Sequence, residues 1–172
     1  MNTRRLQLIL IVLAFLLPAV IALLLQTRWF HWDPQQTRNR GELIKPVLPL
    51  TGSEAERSLF ANGLRWSVLV HLPTQCDAAC SRRIGLLERM REAQGKEMDR
   101  VQMVGWNDTG VVDPARWTAW QAPPDWVLKE PEGAVVLVDP LGNAMMRYRP
   151  DADPTDVRKD LAHLLRWSKV GT

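Results

Sequence analysis

Residues 65–80 read RWSVLVHLPTQCDAAC, and this stretch determines the fold class that we predict for the chain. Its first half, 65–72, is rich in β-branched and aromatic residues, which favours a strand that ends at Pro73. Its second half places Cys76 and Cys80 four positions apart at the start of a helix-forming segment that reaches about Gln94. The stretch therefore predicts an α/β domain whose chemistry lies at a strand–helix junction.

Further strand and helix patterns follow along the chain. The runs 101–105 and 134–138 are typical of buried strands, and 144–149 is predicted to pair with the second run as a hairpin. Asp-Pro pairs precede two further segments and have the form of an N-cap and a first helical residue, which predicts helices over 114–121 and 154–167. The predicted order is β-α-β, then a helix, then β-β-α.

Turn signals dominate the segment before the first strand. Pro and Gly residues within 33–52 indicate a tether, followed by short edge strands at Leu43-Ile44 and Val47-Leu48. Ser53 and Glu56 have the spacing of a capping box, for which a helical turn and a polar loop both stay open.

The N-terminal segment is strongly apolar. From Leu8 to Leu25 there are 18 consecutive residues without a charge, amide or hydroxyl. About 20 such residues span a bilayer as a helix, so we expect a single transmembrane helix over 6–26 after a short tail, 1–5. A cleaved signal peptide is disfavoured because the run is longer than usual and lacks a small-x-small site at its end.

Charges and aromatic residues around this run predict its orientation. Arg4 and Arg5 precede it, which places the N-terminus in the cytoplasm, and Trp29, Phe30 and Trp32 suit the far interface. A tether over 27–40 then leads to a domain over 41–172 in the periplasm. Cysteines that face such an oxidising compartment can persist as a disulfide. The expected location is the cell inner membrane.

The charge balance argues against nucleic acid as a partner. The 172 residues contain 22 Lys and Arg against 19 Asp and Glu, a formal charge of +3. Arg4, Arg5 and Arg28 precede the first acidic residue and account for this excess. The rest of the chain is neutral and lacks the basic surface that nucleic-acid binding requires.

Tryptophan is unusually frequent, with eight residues in the chain. Six of them fall in the predicted domain, where packing in the core and on the surface is the simpler interpretation. The alternative is that the segment 106–126 forms a partner-docking surface, because buried Trp dominates many interfaces.

The cysteine pair is the main candidate for chemistry. A helix N-terminus stabilises an anion, so the pKa of the Cys76 thiol should be lowered, although the charge of Asp77 opposes this effect. Cys76 is then the predicted nucleophile, and Cys80, one turn further, is the resolving thiol. A purely structural disulfide stays open. A thiol peroxidase is disfavoured because no Arg-supported pattern surrounds Cys76.

The same thiols suit a metal. Paired thiolates favour Cu(I), so Cys76 and Cys80 are candidate copper ligands, and His71 is the candidate third ligand. A structural zinc site is disfavoured because it usually takes four Cys or His ligands, and His31 and His163 lie far from the pair in sequence.

These features together resemble the Sco/SenC family. The resemblance rests on the anchor, the strand, Thr74-x-Cys76-x3-Cys80, the helix, and the later VVLVDPLG at 135–142, and it covers about residues 41–165. The segment 39–44, NRGELI, is also similar to small Sco-related proteins. Members are thioredoxin-like proteins that deliver copper to, or reduce the cysteines of, the binuclear copper site of cytochrome c oxidase. The resemblance thus implies a thioredoxin-like fold, and oxidase subunits or other assembly factors as partners.

The chain departs from the family pattern at three positions. Sco proteins usually carry Pro after each cysteine, where Asp77 and Ser81 stand here. Pro131 stands where the resemblance places the copper-binding His of Sco proteins. Alternatively, Pro131 corresponds to the cis-proline that thioredoxin-like folds place opposite their cysteines. Cu(I) transfer and dithiol–disulfide exchange both remain open, as does a non-catalytic assembly scaffold that keeps the fold.

Overall fold

The computed structural model describes residues 3–26, 39–109, 112–121 and 123–168. The chain divides into two units, Met1–Arg38 and Asn39–Thr172, which are taken separately. The first contains helix α1 (Thr3–Gln26). In α1 the large apolar side chains from Leu10 to Leu17 are exposed.

Several predictions about the N-terminus lie outside what the structure describes. They concern the side chains of Arg4 and Arg5 and most of the tether with its aromatic residues, 27–38. Counted over the residues that are described, no helix combines the length and the apolar character needed to cross a bilayer. The membrane anchor therefore remains a prediction.

The second unit is a mixed α/β domain built on a six-stranded sheet. Its strands are β1 (Glu42–Pro49), β2 (Trp66–His71), β3 (Val101–Trp106), β4 (Thr118–Ala119), β5 (Val135–Val138) and β6 (Asn143–Tyr148). Its helices are α2 (Glu54–Phe60), α3 (Ala78–Glu92), α4 (Asp125–Leu128) and α5 (Pro154–Trp167), and a 3₁₀ helix, Gly95–Arg100, follows α3.

The strand order in the sheet is β1-β6-β5-β2-β3-β4. β2 pairs in parallel with β3, with His71 opposite Trp106, and antiparallel with β5, with Val70 opposite Val135. All six residues of β2 are buried, as expected for a central strand covered on both faces. The carboxyl end of β2, where the cysteine loop begins, therefore lies near the middle of one sheet edge.

Two apolar clusters cover the two faces of the sheet. One contains Val68 and Val70 of β2 with Leu87 of α3 and Leu161 of α5. The other contains Leu69 of β2 with residues such as Phe60 of α2 and Val127 of α4. Alternate residues of a strand point to opposite faces, so β2 contributes to both clusters.

The two outer strands of the sheet are irregular or short. β1 contains Pro46 and Pro49, and its pairing with β6 shifts register between Leu43 and Leu48. β4 has only two residues and pairs in parallel with β3. The peptide bond Lys45–Pro46 is cis.

A buried carboxylate attaches the start of the domain to its last helix. Asp160 of α5 is 4% exposed, and its Oδ2 accepts hydrogen bonds from the backbone N–H groups of Arg40 (2.8 Å) and Gly41 (3.0 Å). The hydroxyl of Tyr148 donates to the same oxygen at 2.9 Å. Burial, reinforced by the charge of Asp160, raises the pKa of Tyr148, so the phenol stays neutral and keeps donating.

The predicted helix over 114–121 is wrong. Asp113 begins a turn, with its Oδ1 accepting from the N–H of Ala115 at 3.0 Å, but the chain then extends into β4. Trp117 packs in the cluster that contains Val68, and Trp120 packs in the cluster on the opposite face. Residues three apart share one side of a helix, so only an extended chain can bury both indoles on opposite faces.

Most other predicted elements are confirmed, with small differences in bounds. Ser53 and Glu56 form the capping box of α2, and Asp153 caps α5. The predicted order lacked β4 and the helix α4. Both are too short to show a periodic pattern of apolar residues in the sequence. Four of the six Trp of the domain are buried (Trp66, Trp106, Trp117 and Trp120), Trp126 is partly buried and Trp167 is exposed, which agrees with core and surface packing. The four buried indoles are unavailable as a docking surface.

Candidate functional site

The two cysteines lie where β2 gives way to α3. Pro73 follows the strand, and Cys76 lies in the loop immediately before Asp77, the N-cap of α3. The carboxylate of Asp77 accepts a hydrogen bond from the N–H of Cys80 at 2.8 Å. This bond satisfies one of the unpaired donors at the start of the helix and fixes Cys80 in its first turn.

Cys76 and Cys80 form a disulfide, with their Cα atoms 5.3 Å apart. Cys76 is exposed and Cys80 is half-buried, so the bridge can be reached from solvent. The hydroxyl of Ser81 points toward the Cys76 sulfur at 3.7 Å. In this state neither sulfur is a thiolate. The nucleophilic and copper-binding roles predicted for the pair therefore belong to the reduced chain.

A cleft of about 640 Å³ lies beside the disulfide. It is lined by both cysteines together with His71, Arg83, Glu132 and other residues of α3 and of the loops around β2 and β5. The structure thus brings the three predicted site residues, Cys76, Cys80 and His71, to one concave surface. A partner segment or a small ligand entering this cleft would meet the sulfur atoms directly.

His71 is held in one orientation by its surroundings. Its ring stacks on Trp106 with centroids 4.7 Å apart and an interplanar angle of 14°. Its Nδ1 lies 2.8 Å from the carbonyl oxygen of Glu130. Because a carbonyl only accepts, Nδ1 carries a proton, and in the neutral imidazole this leaves Nε2 with a free lone pair.

Arg83 is a cleft residue that the sequence reasoning missed. Its guanidinium donates to the carbonyl oxygens of Ala152 and, at 3.4 Å each, Gly133 and Arg149. Burial lowers the pKa of Arg83, and the charges of nearby carboxylates oppose that effect. Its position on α3, seven residues after Cys76, carries no motif that could have identified it. Its contacts hold the loop before β5 and the chain after β6 against α3.

Pro131, at the position where the family resemblance places a histidine, takes part in a backbone turn. Pro131 precedes a turn in which its carbonyl accepts from Ala134 N–H at 2.9 Å. Its peptide bond is trans, so the interpretation of Pro131 as a cis-proline is wrong. His163 lies exposed on α5 and belongs to no cluster with the cysteines in the part of the chain that is described.

A family model matches residues 66–168 of the chain. The model is that of the transmembrane-like, thioredoxin-like, C-terminal domain family. The chain belongs to this family. The thioredoxin-like fold expected from the cysteine loop and its flanking strands is thereby confirmed, and the Sco/SenC likeness holds at the level of that fold. None of the curated proteins compared with the chain matches it.

Several solved structures are similar in outline. The apo form of Trgpx is 17% identical, with 70% of this chain and 92% of that chain covered and a TM-score of 0.47. A SCO1/SenC family lipoprotein from Bacillus anthracis is 14% identical (63% and 84% covered, TM-score 0.44). Apo Sco1 from Thermus thermophilus is 16% identical (73% and 94% covered, TM-score 0.44).

Proposed function

We propose that the chain is a membrane-anchored, periplasmic thioredoxin-like protein that assists cytochrome c oxidase assembly by thiol–disulfide exchange at Cys76 and Cys80. The observation that carries the proposal is the solvent-accessible Cys76–Cys80 disulfide at the mouth of an open cleft. The choice of oxidase assembly rests on the resemblance of the TQCDAAC and VVLVDPLG segments to Sco/SenC proteins.

In the exchange reaction the reduced chain acts on a partner disulfide. The thiolate of Cys76 attacks one partner sulfur, forms a mixed disulfide and releases the other partner sulfur as a thiolate. The thiolate of Cys80 then attacks the Cys76 sulfur, closes the internal disulfide and releases the second partner thiol. The partner gains two electrons, the chain loses two, and a separate dithiol reductant must restore the chain.

The exposed position of Cys76 suits it to the first attack. Cys80 is half-buried and has its backbone N–H bonded to Asp77, which suits it to the second, internal step. The hydroxyl of Ser81, where Sco proteins usually carry Pro, can donate to a Cys76 thiolate and stabilise it.

A second candidate function is transfer of Cu(I) as cargo. In the reduced chain two thiolates and a neutral imidazole nitrogen with a free lone pair would line the same cleft, which is a donor set that Cu(I) accepts. The observation that favours this candidate is the orientation of His71, whose Nε2 faces away from its hydrogen bond to Glu130.

Anchoring by α1 completes the proposal. The described apolar side chains of α1 from Leu10 to Leu17 are exposed, and Phe15 is 80% exposed. A helix that is apolar all round is found in a protein core or in a membrane. Alkaline carbonate extraction and reporter fusions at both termini test this placement. A full-length chain released by carbonate, or a cytoplasmic C-terminus, would contradict it.

The decisive experiment compares cysteine variants of the full-length chain for oxidase assembly. Cys80→Ser should accumulate a mixed disulfide with its partner through Cys76, and Cys76→Ser/Cys80→Ser should abolish assembly. Ser58→Ala, an exposed change on α2, is the matched control. Retained assembly in the double variant would instead support the non-catalytic scaffold.

Copper titration separates the two chemical versions. The fully reduced chain is titrated with Cu(I) against a competing chelator without oxygen, alongside the double cysteine variant. One tightly bound Cu(I) per chain that the variant loses favours copper transfer. If no Cu(I) binding depends on the cysteines, thiol–disulfide exchange is the function supported.

A further inference from the structure

Three polar side chains that are distant in sequence meet at the carboxyl end of β2. His71 is the last residue of β2, and Asp108 follows the end of the parallel neighbour β3. Glu132 precedes β5, and the chain there is fixed to β2 because His71 N–H donates to Ala134 O (3.1 Å) and Gly133 N–H to His71 O (2.8 Å). One ligand atom from each of the three side chains lies within 4.8 Å of the others.

The imidazole of His71 points an unsatisfied nitrogen into this cluster. The side chain is 7% exposed, and its Nε2 is buried without a hydrogen-bond partner among the residues that the structure describes. The nearest carboxylate oxygen, Oδ1 of Asp108, is 3.8 Å away, which is too far for a hydrogen bond. A buried acceptor without a partner is costly, so something should occupy the lone pair.

We propose that His71 Nε2 and the carboxylates of Asp108 and Glu132 bind a divalent transition-metal ion of the Zn²⁺ type. Imidazole nitrogen and carboxylate oxygen both bind such ions, and three protein ligands leave a further coordination position open. The Glu130 carbonyl holds the proton on Nδ1 and thereby fixes the tautomer that can coordinate, as in many histidine metal sites.

The three side chains can come close enough together to coordinate one ion. Zinc lies about 2.0–2.2 Å from nitrogen and oxygen ligands, so the ligand atoms must approach one another more closely than they do here. His71 is fixed by Trp106 and Glu130, whereas the Asp108 side chain is 70% exposed and Glu132 is also exposed. The exposed Asp108 carboxylate can therefore rotate toward the fixed nitrogen, and Glu132 can do so by giving up the long hydrogen bond (3.5 Å) that its Oε1 accepts from Thr74 N–H.

This site differs in chemistry from the cysteine pair, although it uses the same His71 nitrogen as the Cu(I) site of the second candidate function. Its ligands are nitrogen and oxygen, which suit borderline divalent ions, whereas paired thiolates select Cu(I). It requires no thiolate and should therefore bind metal while the disulfide is intact. It also differs from the four-ligand Cys and His zinc site that the sequence disfavours.

The test is a metal titration of the full-length chain in detergent micelles with the disulfide intact. Co²⁺ is the probe, because its visible absorption reports coordination, and Zn²⁺ is the competitor. We expect one Co²⁺ per chain, displaced by one equivalent of Zn²⁺. Asp108→Asn and Glu132→Gln should each weaken binding about tenfold or more, since even the loss of a residue that only supports a ligand costs 10–100-fold.

Two controls make the outcome specific. Glu54→Gln removes an exposed carboxylate of α2, on another part of the domain, and should leave the affinity unchanged. Cys76→Ser/Cys80→Ser should also bind Co²⁺ normally, which separates this site from the proposed thiol chemistry. Absence of saturable binding to the oxidised chain would overturn the proposal, as would unaltered affinity in both carboxylate variants with the fold intact by circular dichroism.

Discussion

At the scale of single residues, Asp77 has two opposing effects on the cysteine pair. Its carboxylate caps α3 through the N–H of Cys80, which helps to order the loop that carries Cys76. The same negative charge stands next to Cys76 in sequence and disfavours a thiolate there. The two effects can be separated, because Asn also caps helices well and carries no charge.

Asp77→Asn should therefore make Cys76 more reactive without loss of stability. Removing the charge lowers the pKa of the Cys76 thiol in the reduced chain and raises the alkylation rate at neutral pH about threefold, as expected for one exposed charge at short range. The measurement is the pH dependence of alkylation in Cys80→Ser and Asp77→Asn/Cys80→Ser chains. Asp77→Ala removes the cap as well and should also destabilise the domain, by about 1 kcal/mol.

Asp160 is the residue whose loss should cost the most stability outside the apolar core. Asp160→Ala leaves the Tyr148 hydroxyl and the N–H groups of Arg40 and Gly41 without their acceptor, and we expect the free energy of unfolding to fall by about 3 kcal/mol. Asp160→Asn keeps an acceptor oxygen and should cost less. Denaturant titration distinguishes them, and equal losses would contradict this account.

At the scale of elements, the sequence predicts those whose side chains repeat regularly. The strand at Trp66–His71 is rich in β-branched and aromatic residues and is followed by Pro73, and the helix at Pro154–Trp167 has a clear start signal in Asp153-Pro154. The segment 114–121 shows the opposite case, because Asp113-Pro114 begins a helical turn that tertiary packing then overrides. The need to bury Trp117 and Trp120 on opposite faces of the sheet is not visible until the sheet itself is known.

The pairing of β1 with β6 should depend on pH. Arg147, by hydrogen bonding and charge, lowers the pKa of Glu42, its cross-strand partner. A carboxylate whose pKa is lower in the folded state stabilises that state above its ordinary pKa, about 4.3, and the contribution is lost as the pH falls through the folded value. Hydrogen exchange should therefore show β1 losing protection on acidification below about pH 4.

Glu42→Gln tests this dependence. The variant should show weaker protection of β1 at neutral pH and a smaller further loss in acid, because no carboxylate remains to be protonated. Glu54→Gln, which removes an exposed carboxylate bonded to Arg57 on α2, should leave the behaviour of β1 unchanged. An identical acid response in Glu42→Gln would assign the effect to other groups.

At the scale of the whole molecule, only part of the site could be predicted from the sequence. The cysteine pair is a local motif, and its position after a strand is enough to place it. Asp108 and Glu132 meet His71 only because β2 pairs with β3 on one side and with β5 on the other. Neither carboxylate has a sequence neighbour that marks it, so their convergence could be found only from the strand order.

The whole domain should tolerate reduction of its disulfide. A bridge between residues four apart closes a short loop, and the chain-entropy model assigns such a loop about 2 kcal/mol, well below the value for long loops. Thermal unfolding of the oxidised chain, the reduced chain and Cys76→Ser/Cys80→Ser should show one cooperative transition each, with a modestly lower midpoint in the last two. Loss of the cooperative unfolding transition in the reduced chain would instead indicate that the disulfide is required for the fold.

The two edge strands of the sheet present few unpaired backbone groups with which a strand of a second chain could pair. An open edge can template the addition of foreign strands and so promote aggregation. Here one edge is a strand of two residues, and the other carries two prolines without N–H groups and a shift of register. These features protect the domain against edge-to-edge pairing with other copies. Such protection matters most for proteins that are concentrated on a membrane surface, where the proposed anchor would hold this domain.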